Sequence, residues 1–331
     1  MLWLNDMRIL AALAIIFVHT TQPFLDISNE KDSLNWWISN FYLASSMWGV
    51  PVFVMISGAL LLTPEREYQS IFSFYSKRLQ RLFLPILFWT IIYLILLFIK
   101  NKILHIPFDI HTLGEALLSG RPYYHMWYLY MIIGLYLIAP FIRKIVKHST
   151  KEELIFLAIL LMFLSILTTS YTNPHAQPIF LFLFPFYLGY FLTGYLILSS
   201  SIKIPLTYLI LFFIVLVCTI AIGEYYFPDQ FKRNFSISMI LLSITLMFII
   251  KDAHYKIPIS SKFRNKLATF SLGAYLIHPA VLIFIRKINY FGLHTGDHIW
   301  ALILFTALLT ILISVSIAYV FSKIVFLRKV I

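Results

Sequence analysis

Apolar residues in this chain run in long blocks separated by short polar connectors. Ten blocks approach or reach the ~20 residues that a helix needs to cross a bilayer. They cover residues 7–24, 43–63, 82–99, 124–142, 153–171, 178–198, 205–223, 235–251, 268–287 and 299–322. The pattern predicts an all-α integral membrane protein, a polytopic bundle of about ten transmembrane helices forming a single domain over residues 1–331. The first block reads as a span rather than a cleavable signal. Asp6 and Arg8 open it, and it runs into the polar His19-Thr20-Thr21-Gln22-Pro23 rather than a small-residue cleavage site. No fixed-period repeat is evident, and no two halves carry matching Gly/Pro-broken spans of the kind that mark transporters.

An even number of spans puts both termini on one side, and charge chooses the side. With the N-terminus inside, the inner segments hold 18 of the 26 Lys and Arg residues and the outer ones hold 8. The acids divide 6 inside and 8 outside, so the whole net charge of +12 falls on the inner face. Both termini are therefore expected to be cytoplasmic, in a multi-pass protein of the inner (plasma) membrane. The composition agrees: 60% hydrophobic and 12% charged, with mean hydropathy +0.86, against about 25% charged in soluble domains. A nucleic-acid partner is not expected, because the basic residues sit in short loops between apolar blocks. Cys218 is the only cysteine, which excludes an intrachain disulfide and a Cys-based metal site. No metal is expected.

Against this background the polar residues inside the blocks stand out. Arg8 and His19 are eleven positions apart on the first block. At 100° per residue they share one helix face, roughly 16 Å apart along the axis. Ionisable groups are costly in a membrane and mark functional sites there. The His19 imidazole suits general-base work on a hydroxyl, or acceptance of an acyl group; a hydrogen bond to a neighbouring helix is the structural alternative.

Four further stretches carry candidate chemistry. Arg78 and Arg81 are three apart on one helix face at the inner end of the third block. Two guanidiniums there suit a polyanion such as a nucleotide or pyrophosphate, and they also suit ordinary inner-face anchoring. Ser57-Gly58 is a small pair in the second block that lets another backbone approach closely, and Pro51 either kinks or starts that helix. Ser271, Tyr275 and His278 form one polar stripe late in the chain, followed by Pro279, which should loosen the helix locally. His125 and Trp127 open the fourth block within an aromatic run, which fits an interface belt or the mouth of a sugar site.

Taken together, these residues resemble the acyltransferase-3 family of bacterial membrane O-acyltransferases. That family has an Arg, ten residues and then a His in the first span, matched by Arg8 and His19. It has P-x-F-x-x-I-S-G in the second span, matched by Pro51, Phe53, Ile56, Ser57 and Gly58. An Arg-rich start to the third span ends in Pro, matched by Arg78, Arg81 and Pro85. A Trp opens the fourth span (Trp127), and S-x-G-x-Y-x-x-H follows late in the chain (Ser271, Gly273, Tyr275 and His278).

The resemblance covers essentially the whole chain. It implies transfer of an acyl group, usually acetyl from acetyl-CoA as co-substrate, to a hydroxyl of a cell-surface or lipid-linked glycan. On that reading His19, His278 and Tyr275 serve catalysis, and Arg8, Arg78, Arg81 and Ser57 serve the donor. Trp127 and His125 serve the acceptor. The sequence carries no extracytoplasmic hydrolase-like domain, so transfer either finishes within the membrane or passes to another protein, such as a partner in polysaccharide assembly. A glycan exporter or flippase is the competing expectation.

Overall fold

The computed structural model describes residues 2–27, 31–63, 70–106, 110–171, 183–254, 258–289 and 298–331. Among the described residues there are twelve α-helices and no strand. Seven helical stretches are long and apolar enough to cross a membrane: Leu2–Asp26, Leu34–Leu61, Ile71–Ile103, Trp127–His148, Leu206–Tyr226, Ser261–Lys287 and Ile299–Lys323. The blocks at 153–171 and 235–251 are helical too (Lys151–Tyr171 and Ile237–Ala253). Of the block at 178–198, residues 178–182 lie outside the described residues, and Phe184–Ser199 is a shorter apolar helix.

The helices form two compact units, and the division falls within one helix. The first unit contains α1 (Leu2–Ile27), α2 (Leu34–Ala44), the start of α3 (Gly49–Leu61) up to Ile56, α9 (Leu206–Tyr226), α10 (Ile237–Ala253), α11 (Ser261–Asn289) and α12 (Ile299–Lys323). Its core is lined by Met7, Ala11 and Ile16 of α1 and by Leu276 and His278 of α11, all without solvent exposure. Small residues set the packing distances. A Cβ on Gly49 would lie 2.7 Å from the Ile15 side chain and 3.1 Å from the Ala11 carbonyl, so α3 starts in close contact with α1. One face of α9 presents Leu211, Phe212 and Val215 outward, the surface that a helix offers to lipid.

The second apolar block is not one helix. The chain turns at Ser45–Trp48, between α2 and α3. There the hydroxyls of Ser45 and Ser46 both donate to the Tyr42 carbonyl at 2.8 Å, and the Trp48 indole donates to the Ser45 carbonyl at 2.6 Å. These side chains compete with the helix's own amides and end α2. Pro51 then falls in the first turn of α3, where its missing N–H costs nothing. It starts that helix rather than kinking it.

The second unit runs from Ser57 to Leu198, with residues 324–330. It contains α4 (Ile71–Ile103), α5 (Ile110–Leu118), α6 (Trp127–His148), α7 (Lys151–Tyr171) and α8 (Leu188–Ser199). A capping box opens α7: the Glu153 amide donates to the Thr150 hydroxyl, and the Thr150 amide donates to the Glu153 carboxylate at 2.7 Å. The expected close approach at Ser57-Gly58 is present. A Cβ on Gly58 would sit 1.7 Å from the Phe191 carbonyl oxygen, so α3 and α8 touch backbone to backbone. At the far end of the chain the Trp89 indole donates to the Val330 carbonyl at 2.9 Å, tying the C-terminal turn to α4.

Candidate active site

The first unit brings together three of the expected site residues. His19 of α1 and His278 of α11 stack with ring centroids 5.4 Å apart and planes 18° from parallel. The Tyr275 ring lies 5.9 Å from His278 and 6.4 Å from Phe53 of α3. His278 and Tyr275 are buried, and His19 is half-buried. Arg8 is on the same unbroken helix as His19, three turns toward its N-terminus.

Two prolines shape this site. Pro279 has no N–H, so the carbonyl four residues before it, that of Tyr275, loses its helical donor. The helix nonetheless continues through Pro279, and His278 Nδ1 lies 2.6 Å from that carbonyl. A carbonyl only accepts, so Nδ1 is the donor in this contact. The expected loosening at Pro279 thus becomes a device that orients an imidazole. On α1, Pro23 does the same to the carbonyl of His19. That carbonyl receives Nη2 of Arg286, from the last turn of α11, at 2.6 Å. The hydroxyls of Thr20 and Thr21 both turn back to the Phe17 carbonyl, at 2.7 and 2.8 Å.

Arg264 and Asp6 form a buried ion pair at the other end of α1 and α11. Nη1 donates to the carboxylate at 2.7 Å and to the His254 carbonyl at 2.9 Å. Neither Arg264 nor Arg286 was among the expected site residues. For Arg286 the one hint in the sequence is Pro23, four residues after His19, which withholds the helical N–H from the His19 carbonyl. For Arg264 no local pattern distinguishes the residue from other inner-face cations.

The remaining expected residues belong to the second unit. Arg78 is half-buried, with its guanidinium 5.8 Å from the Phe74 ring centre, and Arg81 is exposed one turn along α4. Ser57 is half-buried beside Gly58. His125 is 1% exposed and lies edge-on to Tyr93 at 4.9 Å and Tyr124 at 5.6 Å. Trp127 is the first residue of α6, half-buried and 6.1 Å from the Tyr187 ring. Among the described residues no three His, Cys, Asp or Glu side chains gather as a metal site.

The chain thus combines long apolar helices with two stacked imidazoles, His19 and His278, packed between α1 and α11. The chain matches the acyltransferase domain of the acyltransferase-3 family over residues 1–320 and belongs to that family. It is therefore an acyl-transferring enzyme of the membrane. No curated protein and no solved structure matches it.

Proposed function

We propose that this enzyme transfers an acetyl group from cytoplasmic acetyl-CoA to a hydroxyl of a cell-surface or lipid-linked glycan. The chain acts as one domain of about ten spans in the inner membrane, with both termini in the cytoplasm. The observation that carries the reading is the stacked His19–His278 pair, with the His278 tautomer set by the Tyr275 carbonyl.

In the proposed reaction His19 takes the proton of the acceptor hydroxyl as its oxygen attacks the thioester carbon. The tetrahedral intermediate collapses with cleavage of the C–S bond. The imidazolium returns the proton to the departing thiolate, giving CoA-SH and the O-acetyl ester. The lone pair on His278 Nε2 suits it to accept the acceptor's O–H and hold that oxygen in line. Arg8, Arg78 and Arg81 lie toward the inner ends of their helices in the proposed topology, where guanidiniums suit the donor's phosphates. Ser57 is assigned to the donor on the family pattern alone. Trp127 and His125 are assigned to the acceptor; Trp127 is half-buried and presents the aromatic face, while His125 is buried.

Family membership favours this reading over a glycan exporter, which would consume no acyl donor. Base-labile acetyl esters on membrane glycolipids and surface glycan, measured by mass spectrometry in cells with and without the protein, test the acceptor class. Esters that depend on wild-type protein and vanish with His19→Ala support it. Acetyl esters retained with His19→Ala would sink it.

A further inference from the structure

We infer that Arg286 is a positioning residue for His19, acting through the backbone carbonyl that Pro23 deprives of its helical N–H. The inference rests on the reading of His19 as the reacting base.

Pro23 lies inside α1, which runs without a break from Leu2 to Ile27. In a regular helix the amide at position 23 would hold the His19 carbonyl. Proline has no amide hydrogen, so the segment that carries His19 is freed from one of its own bonds. Arg286 supplies the replacement at 2.6 Å, from a position 267 residues away in the chain. It comes from the helix that carries His278, two turns further on. The backbone at His19 is thus held by the helix that holds its stacking partner, and the angle of one imidazole against the other depends on that bond. The nearby hydroxyls do not substitute, since Thr20 and Thr21 are both spent on Phe17. Lys287, the next cation in the same turn, is exposed and serves as a control.

Proline itself supplies the test. Pro23→Ala restores an N–H at position 23 and gives the His19 carbonyl its helical donor back. Arg286→Ala should then be costly only while Pro23 is present. Purified protein in detergent is assayed for transfer to acceptor glycolipid at varied acetyl-CoA.

Arg286→Ala should lower kcat by about 10- to 100-fold with donor KM within about 2-fold, the range for a misplaced reacting group. Arg286→Lys should recover part of the loss, and Lys287→Ala should lose nothing. In the Pro23→Ala background, the further loss on adding Arg286→Ala should shrink to within about 3-fold. Equal losses in both backgrounds, or an unchanged kcat for Arg286→Ala, would overturn the inference. Wild type, Arg286→Ala, Pro23→Ala and the double variant are also melted in detergent. A drop in Tm for Arg286→Ala that disappears in the Pro23→Ala background supports the bond, and equal drops refute it. Absence of transfer by wild type defeats the proposed function instead, and the melting comparison still decides the role of Arg286.

Discussion

Arg264 holds Asp6 at 2.7 Å at one end of a parallel helix pair, and His19 and His278 stack about 20 Å further along the same two helices. From Asp6 to His19 is nearly the same number of residues as from Arg264 to His278. The ion pair and the imidazole pair therefore occupy the same register of the two helices. Both charges are under 10% exposed, with side-chain exposures of 9% and 5%. Removing one partner leaves the other buried and unpaired. Asp6→Ala and Arg264→Ala should each cost about 3 kcal/mol of stability, and Asp6→Leu with Arg264→Met in one chain should cost clearly less. Thermal unfolding of the three proteins in detergent measures this.

Gly58 admits no side chain. A Cβ there would stand 1.7 Å from the Phe191 carbonyl oxygen and 2.6 Å from its carbon, both backbone atoms that cannot turn aside. Gly58→Ala should destabilise by at least ~3 kcal/mol and reduce folded protein in the membrane. Gly114→Ala is the control, with nothing within 4 Å of its Cβ, and should be neutral or mildly stabilising. Monodisperse yield on size exclusion reads both.

The tautomer of His278 depends on Pro279. Pro279→Ala returns an N–H to the Tyr275 carbonyl, which then competes with His278 Nδ1 and lets the ring turn. Transfer should fall about tenfold or more with donor KM little changed, as expected when orientation alone is lost. A full steady-state analysis of Pro279→Ala beside His278→Ala checks it, and His278→Ala should be the more damaging of the two.

Arg81 is exposed, while Arg78 lies over the Phe74 ring. If both grip donor phosphates, alanine at either position should raise donor KM about tenfold, the worth of one charge-assisted bond. The wild-type KM should rise with ionic strength, and the variants should show a weaker salt dependence. An unchanged KM for both variants would leave them as inner-face anchors.

Much of this was legible before any coordinates. The apolar blocks marked the helices, because burial in lipid demands an unbroken run that few other structures need. Arg8 and His19 were placed on one helix face by phase alone, and α1 is a single helix through both. The tight fit at Gly58 followed from the small pair itself. The break between α2 and α3 was hidden, because Ser45, Ser46 and Trp48 end a helix through local side-chain bonds that leave hydropathy unchanged. The partners of Asp6 and His19 lie 258 and 267 residues away, beyond any periodicity. Pro279 is expected from the sequence to loosen its helix, and Pro23 carries no reading of its own there. In the structure the Tyr275 carbonyl meets His278 of its own helix, and the His19 carbonyl meets Arg286 of another, which depends on what packs alongside.

We propose that His19 does the chemistry of acetyl transfer. Purified wild type and His19→Ala should be given radiolabelled acetyl-CoA, with bound label and released CoA followed together. Both proteins should bind label, and only wild type should release CoA and form labelled acceptor. Equal turnover by His19→Ala would contradict it.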